Sequence, residues 1–297
     1  MAKVLGLNRY KDDIIRMYVE EKKTAKEISN KYQCGLTAIY DILKKNNINS
    51  RPRKEYTRKY KYNEHYMDKI DTPERAYVLG LLYADGTNNT KNHSVALRLS
   101  SIDIDILNKI KQLFEAEQSI TIVPGKVNNS SGNYSHETAG LVFVNTHLSN
   151  KLASYGMCKN KTFQLHFPKW IPKELLPHFI RGLFDGDGGI TISKRKTPYV
   201  HYTGDYNFLE ELSQVIEENG FKNYLKPKQS KSGKVGSIHI YAQSTVKAFL
   251  DWIYKDSTIY INRKYERYYS YFYENKPLRK YSDDEKYQYD KTTGLSV

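Results

Sequence analysis

Two apolar segments with the same ending predict a pair of buried helices in the later part of the chain. The first covers residues 76–86 and reads AYVLGLLYADG, and the second covers 178–188 and reads HFIRGLFDGDG. Each is apolar on nearly every side of a helical projection, which is typical of a buried helix. The final acids, Asp85 and Asp187, lie 102 residues apart; the helical stripe that follows repeats at the same offset, and the closing helix repeats at an offset of 98. A repeat of this length indicates a duplicated domain.

The pattern after each apolar segment predicts the same order of strands and helices. Apolar and polar residues alternate over 95–100, which indicates a strand with one buried face, and an apolar stripe of helical period covers 102–115. A closing helix is predicted near 146–155, and the other strands near 119–127, 139–145, 190–194, 198–203, 222–228 and 236–243. The predicted fold class is α+β: two pseudo-symmetric αββαββα halves over 71–172 and 173–273, with antiparallel sheets that each leave one face free.

The first 50 residues have a separate helical pattern. Ile14, Ile15, Tyr18 and Val19 share one inward face of a helix within 10–20. Thr24 and Glu27 have the spacing of a capping box before a second helix, and Gly35 precedes a third helix. This order resembles the helix-turn-helix of resolvases and transposases. On that resemblance the residues facing a DNA major groove are Thr37, Ala38 and Tyr40. The alternative is a three-helix cap without a role in DNA binding.

Charge is concentrated after this helical segment. Residues 44–61 hold eight Lys or Arg and one Glu, and the whole chain has a net charge of +14. We interpret 51–70 as a basic linker that follows phosphates or enters a minor groove, with expected contacts from Arg51, Arg53, Lys54 and Arg58. A solvated linker is the alternative. The surplus positive charge favours a polyanionic partner.

Composition excludes several classes of protein. Two cysteines exclude a disulfide framework, the longest apolar run is too short to span a membrane, and the N-terminus has no apolar signal-peptide core. We expect a soluble intracellular protein, in the cytoplasm of a bacterial or phage-infected cell or in an organelle, that is not secreted. The polar tail over 274–297 is predicted to be disordered.

The glycines and acids of the apolar segments predict how the two helices meet. Gly80 lies four residues from Ala84, as Gly182 does from Gly186, so each helix has a narrow face that permits close backbone approach. Gly86 and Gly188 are predicted C-terminal caps. A carboxylate at a helix C-terminus opposes the helix dipole, and pairing would bring two together. A bound divalent cation with oxygen ligands, such as Mg²⁺, would offset both costs; exposed capping acids are the alternative.

The segments VLGLLYADG (78–86) and IRGLFDGDG (180–188) resemble the two motifs of the LAGLIDADG homing endonucleases. The resemblance covers roughly 65–270 and implies motif helices at the interface of two halves, whose sheets form a saddle over duplex DNA. It implies that Asp85 and Asp187 bind catalytic Mg²⁺ or Mn²⁺, with the carbonyls of Ala84 and Gly186 as further ligands. The chain departs from the motif at Tyr83, where the family has an acid, and at Arg181.

The same resemblance implies a basic residue late in each half. Lys161 stands 76 residues after Asp85, and the same offset from Asp187 reaches Arg263, followed by Lys264. Either Lys161 and Lys264 polarise the attacking water or stabilise the developing charge, or they are ordinary surface lysines. On the predicted sheets, Arg98, Lys126 and Lys228 are expected DNA contacts.

The resemblance implies a site-specific double-strand DNA endonuclease, freestanding or intron-encoded, that hydrolyses one phosphodiester on each strand. Two alternatives use the same fold: a non-catalytic DNA-binding regulator and an RNA maturase. Because both motifs are in one chain, we expect a monomer that needs no obligate protein partner. Its unlike halves should read a double-stranded target that is not palindromic.

Overall fold

The chain divides into two compact units, Met1–Lys61 and Tyr62–Val297. The computed structural model describes residues 6–50, 60–125, 136–158, 165–193, 197–228 and 235–278. Several expected site residues and most of the polar tail lie outside these ranges: Arg51, Arg53, Lys54, Arg58, Lys126, Lys161 and 279–297.

The N-terminal unit consists of a 3₁₀ turn followed by three short helices with their own apolar core. The helices are α1 (Lys11–Val19), α2 (Ala25–Lys31) and α3 (Leu36–Lys45). The predicted capping box is present: the Glu27 amide donates to Thr24 Oγ1 at 3.1 Å, and the Thr24 amide donates to Glu27 Oε2 at 2.7 Å. The buried residues include Ile14, Met17, Tyr18, Ile28, Ile39 and Leu43.

Two sequence expectations for this unit are wrong. Val19, expected to face inward, is 41% exposed because the buried face of α1 is formed by Ile14, Met17 and Tyr18 at helical spacing. Ala38, expected to contact a DNA groove, is buried because it lies one turn before Ile42 on the inward face of α3. Of the three expected groove contacts, Thr37 is exposed and Tyr40 is half-buried.

The second unit contains two halves with the predicted αββαββα order. In the first half the elements are α4 (Pro73–Asp85), β1 (Gly86–Asn89), β2 (Ser94–Ser100), α5 (Ile104–Leu113), β3 (Thr121–Val123), β4 (Thr138–Val144) and α6 (Thr146–Ser154). In the second half they are α7 (Leu176–Asp187), β5 (Gly188–Ile192), β6 (Pro198–Asp205), α8 (Tyr206–Glu218), β7 (Tyr224–Lys228), β8 (Val235–Ile240) and α9 (Gln243–Tyr254). Both sheets are antiparallel, with strand orders β1-β2-β4-β3 and β5-β6-β8-β7.

The second unit also differs from the pattern at three places. A 3₁₀ turn occupies Ser101–Asp103, so the helix expected from 102 begins at Ile104. The strand expected over 119–127 is only Thr121–Val123. An additional helix, α10 (Asn262–Phe272), follows α9. It was not predicted because its packed face is formed by Lys264 and by aromatic residues, among them Tyr265, Tyr268 and Phe272, in a segment where tyrosines and charged residues are interleaved.

One face of each sheet packs on the helices, and the other is left free. Val95, Leu97 and Leu99 of β2 lie in the core, as the alternation predicted. In the second sheet Val200 and Tyr202 of β6 lie in the core, whereas the alternating residues Tyr199, His201 and Thr203 are only half-buried. The core extends through both halves and includes α4 and α7. None of the helices in the described ranges is long and apolar enough to cross a membrane.

Candidate active site

Helices α4 and α7 pack at backbone distance through their glycines. A Cβ atom added at Gly80 would lie less than 3.0 Å from the Phe179 carbonyl oxygen, and one added at Gly182 would lie less than 3.0 Å from the Tyr77 carbonyl oxygen. Side chains larger than hydrogen therefore do not fit at either position. The predicted pairing of the two apolar helices through small residues is confirmed.

The glycines that end these helices act differently from the expected caps. Gly86 has φ −77° and Gly188 has φ −98°, so neither adopts the left-handed conformation of a glycine C-cap. Glycine is required at both positions because a larger residue would clash with the preceding helical turn. A Cβ atom on Gly86 would lie 2.8 Å from Leu82 Cα, and one on Gly188 would lie 2.8 Å from Phe184 Cα. Each glycine lets the chain turn sharply from a helix into the first strand of its sheet.

The two motif acids stand at the adjoining C-terminal ends of α4 and α7. Asp85 is half-buried and Asp187 is exposed. A Cβ atom added at Gly186, beside Asp187, would lie 2.9 Å from Asp85 Oδ2. The Asp85 carboxylate therefore reaches the end of the opposite helix. Helix pairing brings one acid from each half to a common, solvent-accessible edge.

Asp185, the earlier acid of the second motif, is buried in a hydrogen-bond network. Its carboxylate accepts from Tyr77 Oη at 2.7 Å, from the Ile261 amide at 2.8 Å and from Tyr254 Oη at 3.3 Å. Burial raises the pKa of Asp185, although the Lys264 ammonium and these hydrogen bonds act in the opposite direction. The residue joins both halves and does not face solvent. Sequence reasoning missed its two tyrosine partners, since a core tyrosine has the same pattern with or without a hydroxyl partner.

Lys264 is buried and caps the end of α7. Its Nζ donates to the carbonyl oxygens of Phe184 at 2.8 Å, Asp185 at 2.6 Å and Gly188 at 2.7 Å, and stands 3.5 Å from that of Gly186. Burial lowers the pKa of this ammonium to about 8, while the Asp185 carboxylate opposes the shift. The side chain is only 3% exposed. Lys264 therefore positions the segment that carries Asp187 and does not itself present a cation to solvent.

Replacing Lys264 by Met should destabilise the protein by about 3 kcal/mol, because buried helix-end carbonyls would lose their donor. Urea unfolding measures this change. The matched control is Lys255→Met, since Lys255 is exposed and should tolerate the same substitution. Equal stabilities for the two variants would show that the carbonyl contacts of Lys264 contribute nothing.

Arg263, the alternative basic residue of the second half, forms an ion pair with the first half. Its Nε donates to Asp103 Oδ1 at 2.8 Å, and its Nη2 donates to Asp103 Oδ2 at 2.9 Å. Asp103 is buried, at 6% exposed. This two-point geometry gives Arg263 a structural role in joining the halves.

Arg181, the charged departure from the second motif, is completely buried in α7. Its Nε donates to the Ile259 carbonyl at 3.0 Å, and its Nη1 donates to the Ile253 carbonyl at 2.7 Å and to His178 Nδ1 at 2.8 Å. Because a guanidinium only donates, His178 accepts at Nδ1 and is neutral. Burial, followed by the nearby Arg181 charge, lowers the pKa of His178 to about 4.

The lowered pKa of His178 predicts that the protein loses stability in acid. The unfolded chain protonates His178 near pH 6.5 and the folded chain only near pH 4, so stability present above pH 6.5 is lost as the pH falls through this window. The contribution is about 2 kcal/mol between pH 7 and pH 5. We expect His178→Gln, which keeps an acceptor, to lose correspondingly less stability than the parent in urea unfolding at the two pH values. Equal losses of stability would contradict the proposed effect of His178. His201 also has a lowered pKa, but it is present in both proteins, so its contribution cancels in the comparison.

The donor set at the paired helix ends fits a divalent cation with hard oxygen ligands. The carboxylates of Asp85 and Asp187 and the carbonyl of Ala84 are the oxygen donors that Mg²⁺ and Mn²⁺ prefer. Gly186 fits less well, because its carbonyl lies 3.5 Å from the Lys264 ammonium. The structure thus brings four of the predicted site residues to adjoining helix ends: Ala84, Asp85, Gly186 and Asp187. Lys264 is buried beside the end of α7 and contacts its carbonyl oxygens.

The free face of the second sheet carries polar, aromatic and basic side chains. Lys228 Nζ donates to Thr203 Oγ1 at 3.1 Å, and Lys226 Nζ lies 3.4 Å from Tyr241 Oη. His201 and His239 are directly opposite each other in the register of β6 and β8. Burial and the nearby charges lower the pKa of both imidazoles, so they are neutral near pH 7.

The free face of the first sheet carries less charge among its described residues. Arg98 is exposed on β2, where its side chain lies over Gly140 of β4. The other residues of this face include Thr87, Asn89, Ala96, Thr121, Val142 and Val144. The two predicted sheet contacts that the structure describes, Arg98 and Lys228, are thus both on free faces.

Residues 174–254 match the family LAGLIDADG-like domain, and no curated protein sequence matches the chain. Among solved structures, the chain is similar to the I-LtrWI LAGLIDADG homing endonuclease bound to target DNA, with 13% identity and a TM-score of 0.45 over 75% of this chain and 96% of that one. It is also similar to I-GzeII in complex with DNA target, with 12% identity and a TM-score of 0.46 over 72% and 95%. The segment that matches the family model, 174–254, contains the second motif helix and its sheet.

Proposed function

We propose that this protein is a site-specific DNA endonuclease that cleaves both strands of a duplex with a divalent cation. One observation carries the proposal: paired helices bring Asp85 and Asp187, one from each half, to adjoining helix ends. Both carboxylates sit where the helix dipole disfavours negative charge, and their mutual repulsion adds to that cost. A divalent cation with oxygen ligands at this edge would offset both terms.

The chain's own residues have distinct parts in this proposal. Asp85 and Asp187 hold the cation, with help from the Ala84 carbonyl. Lys264 holds the end of α7 in place, and buried Asp185 ties that helix to Tyr77 of α4. Bound Mg²⁺ supplies Lewis-acid stabilisation of the charge that develops during phosphodiester hydrolysis. Lys161 stays a sequence-based proposal for a catalytic cation of the first half.

The free sheet faces are the proposed DNA-binding surface. Lys226 and Lys228 provide positive charge for phosphates, and neutral His201 and His239 can exchange hydrogen bonds with base edges. Arg98 provides a cation on the other sheet. The helical unit, through Thr37 and Tyr40, and the basic residues after it add a second contact, which raises affinity through effective concentration.

Incubation with duplex DNA in the presence of Mg²⁺ tests the activity. The substrate is DNA spanning the locus of the gene without the gene inserted, since enzymes of the proposed type cut that allele. We expect linear product with Mg²⁺ and none with EDTA. Tight DNA binding without any nicking would favour a non-catalytic regulator, and preferential binding of RNA would favour a maturase.

The protein is proposed to act as a monomer, because one chain contains both halves of the proposed active site. α4 and α7 use their glycine faces against each other within one chain, so no second chain is needed to bring the acids together. Light scattering of the free protein tests this, and a stable dimer at micromolar concentration would contradict it.

Removal of residues 1–61 should leave a folded protein that still cleaves DNA, with weaker and less salt-dependent binding. The second unit has its own core, whereas the deleted region contains the basic cluster over 44–61 that would release counterions from phosphates. Binding titrations between about 50 and 200 mM salt measure the slope. An unchanged slope would show that the first unit and its basic segment do not contact DNA.

A further inference from the structure

Two histidines and an aspartate meet outside the proposed active site, on the surface of the first half. His65 Nδ1 lies 2.8 Å from one carboxylate oxygen of Asp68, and His147 Nε2 lies 2.5 Å from the other. The imidazole ring centroids are 4.4 Å apart. The three ligand atoms all lie within 4.8 Å of one another.

The backbone holds this cluster in place from two distant parts of the chain. His65 and Asp68 belong to the segment before α4, and His147 is in the first turn of α6. Tyr155 Oη donates to the carbonyl oxygens of Met67 and Asp68, both at 3.1 Å. Asn145, which caps α6, also donates to Glu64. The three side chains therefore converge through packing that does not depend on the cluster itself.

The ligand types favour zinc over the cation proposed for catalysis. Two imidazole nitrogens and one carboxylate oxygen form a common donor set for Zn²⁺, with water in the fourth position, whereas Mg²⁺ prefers oxygen ligands. Tetrahedral geometry with bonds of about 2.0–2.1 Å separates ligand atoms by about 3.3 Å. The two imidazole–carboxylate spacings of 2.8 and 2.5 Å are those of hydrogen bonds and need to lengthen by less than about 1 Å to reach this value. The ligand atoms all lie within 4.8 Å of one another, so the widest separation in the set needs to shorten. All three are at least one-third exposed, which allows this movement.

We propose that His65, Asp68 and His147 bind one Zn²⁺ ion that fastens the segment before α4 to the N-terminus of α6. The ion replaces the hydrogen bonds between the imidazoles and the carboxylate with metal–ligand bonds. Its positive charge faces the N-terminus of α6, which is unfavourable, and the carboxylates of Asp68 and nearby Glu64 offset that cost. The site is structural: it stabilises the entry to motif helix α4 and takes no part in cleaving DNA.

Calorimetric titration of the full chain with ZnCl₂ at pH 7.5 tests the proposal. The parent for all variants carries Asp85→Asn and Asp187→Asn, so that zinc at the proposed catalytic edge does not interfere. We expect one zinc equivalent in this parent. His65→Ala or His147→Ala should weaken binding at least as much as the roughly 10–100-fold that a lost second-shell partner costs. Zinc should raise the melting temperature of the parent and not of these variants.

The matched control is His166→Ala. His166 is also an exposed histidine on a carboxylate, with its Nδ1 2.7 Å from Glu211, but the pair is on other elements. This variant should bind zinc as the parent does. Equal zinc affinity in the parent and in His147→Ala, no zinc binding by the parent, or equal weakening in His166→Ala would each overturn the site. None of these outcomes depends on whether the protein cuts DNA.

Discussion

Replacement of Asp85 or Asp187 by Asn is expected to lower double-strand cleavage by about 1,000-fold or more while DNA binding survives. A carboxylate that holds a catalytic cation contributes several kcal/mol to transition-state stabilisation, and each 1.36 kcal/mol is a factor of ten in rate. Binding survives because most affinity for DNA comes from phosphate contacts elsewhere on the protein. Agarose gels that separate supercoiled, nicked and linear plasmid measure cleavage, and gel-shift titration measures binding.

Asp71→Asn is the matched control for both substitutions. Asp71 is an exposed acid of the first half, 2.5 Å from Arg75 in an ordinary surface ion pair, and such pairs contribute little. The control should cleave as the parent does. Full cleavage by either motif variant would refute the proposed metal ligands, and loss of DNA binding in a motif variant would show that the acid acts by maintaining the fold.

Replacement of Gly80 or Gly182 by Ala is expected to destabilise the second unit by about 3 kcal/mol or more. The added Cβ atom would approach the opposite helix at less than 3.0 Å from a carbonyl oxygen. Backbone atoms cannot rotate away as a flexible side chain can, so the helices must separate, and overpacking of a core costs about 1–3 kcal/mol or more. A loss of this size lowers the melting temperature by about 6–12 °C in a unit of this length. Separation also moves Asp85 away from Asp187, so cleavage should fall.

Gly204→Ala separates this steric effect from the general effect of replacing a glycine. Gly204 is in β6, and a Cβ atom added there meets nothing within 4 Å. Its melting temperature should be unchanged or slightly raised, because alanine loses less conformational entropy on folding. A Gly80→Ala protein as stable as Gly204→Ala would mean that the two helices do not pack at backbone distance.

Local patterns of sequence were sufficient to predict the order of the elements, the pairing of the two motif helices and the positions of the two motif acids. The doubled apolar segments, the alternation over β2 and the stripe of α5 depend on residues within one or two turns of each other, and their periods distinguish helix from strand. Small residues four apart predicted the pairing of α4 and α7. The positions of Asp85 and Asp187 followed, because they are the last residues of those helices.

Contacts between residues far apart in the chain could not be inferred in this way. In the sequence, no local pattern distinguishes Lys264 from the other lysines of a lysine-rich chain. Only the folded structure shows that its ammonium contacts the carbonyl oxygens at the end of α7. The network of Asp185 joins side chains 108 and 69 residues away. In α10, Tyr265, Tyr268 and Phe272 lie at helical spacing and pack on the core, but the chain has 27 tyrosines, several of them exposed, so the pattern alone does not distinguish a buried face.

The sequence by itself determined that this protein has a small helical segment and two similar halves, each with a buried helix ending in an acid. Only the tertiary structure decided which polar groups inside the second unit meet, including the cluster of His65, Asp68 and His147. The physical reason is the separation along the chain of the residues that produce each feature. Hydrophobic periodicity is a property of neighbouring residues, whereas hydrogen bonds, ion pairs and metal sites depend on atoms that packing brings within a few ångströms.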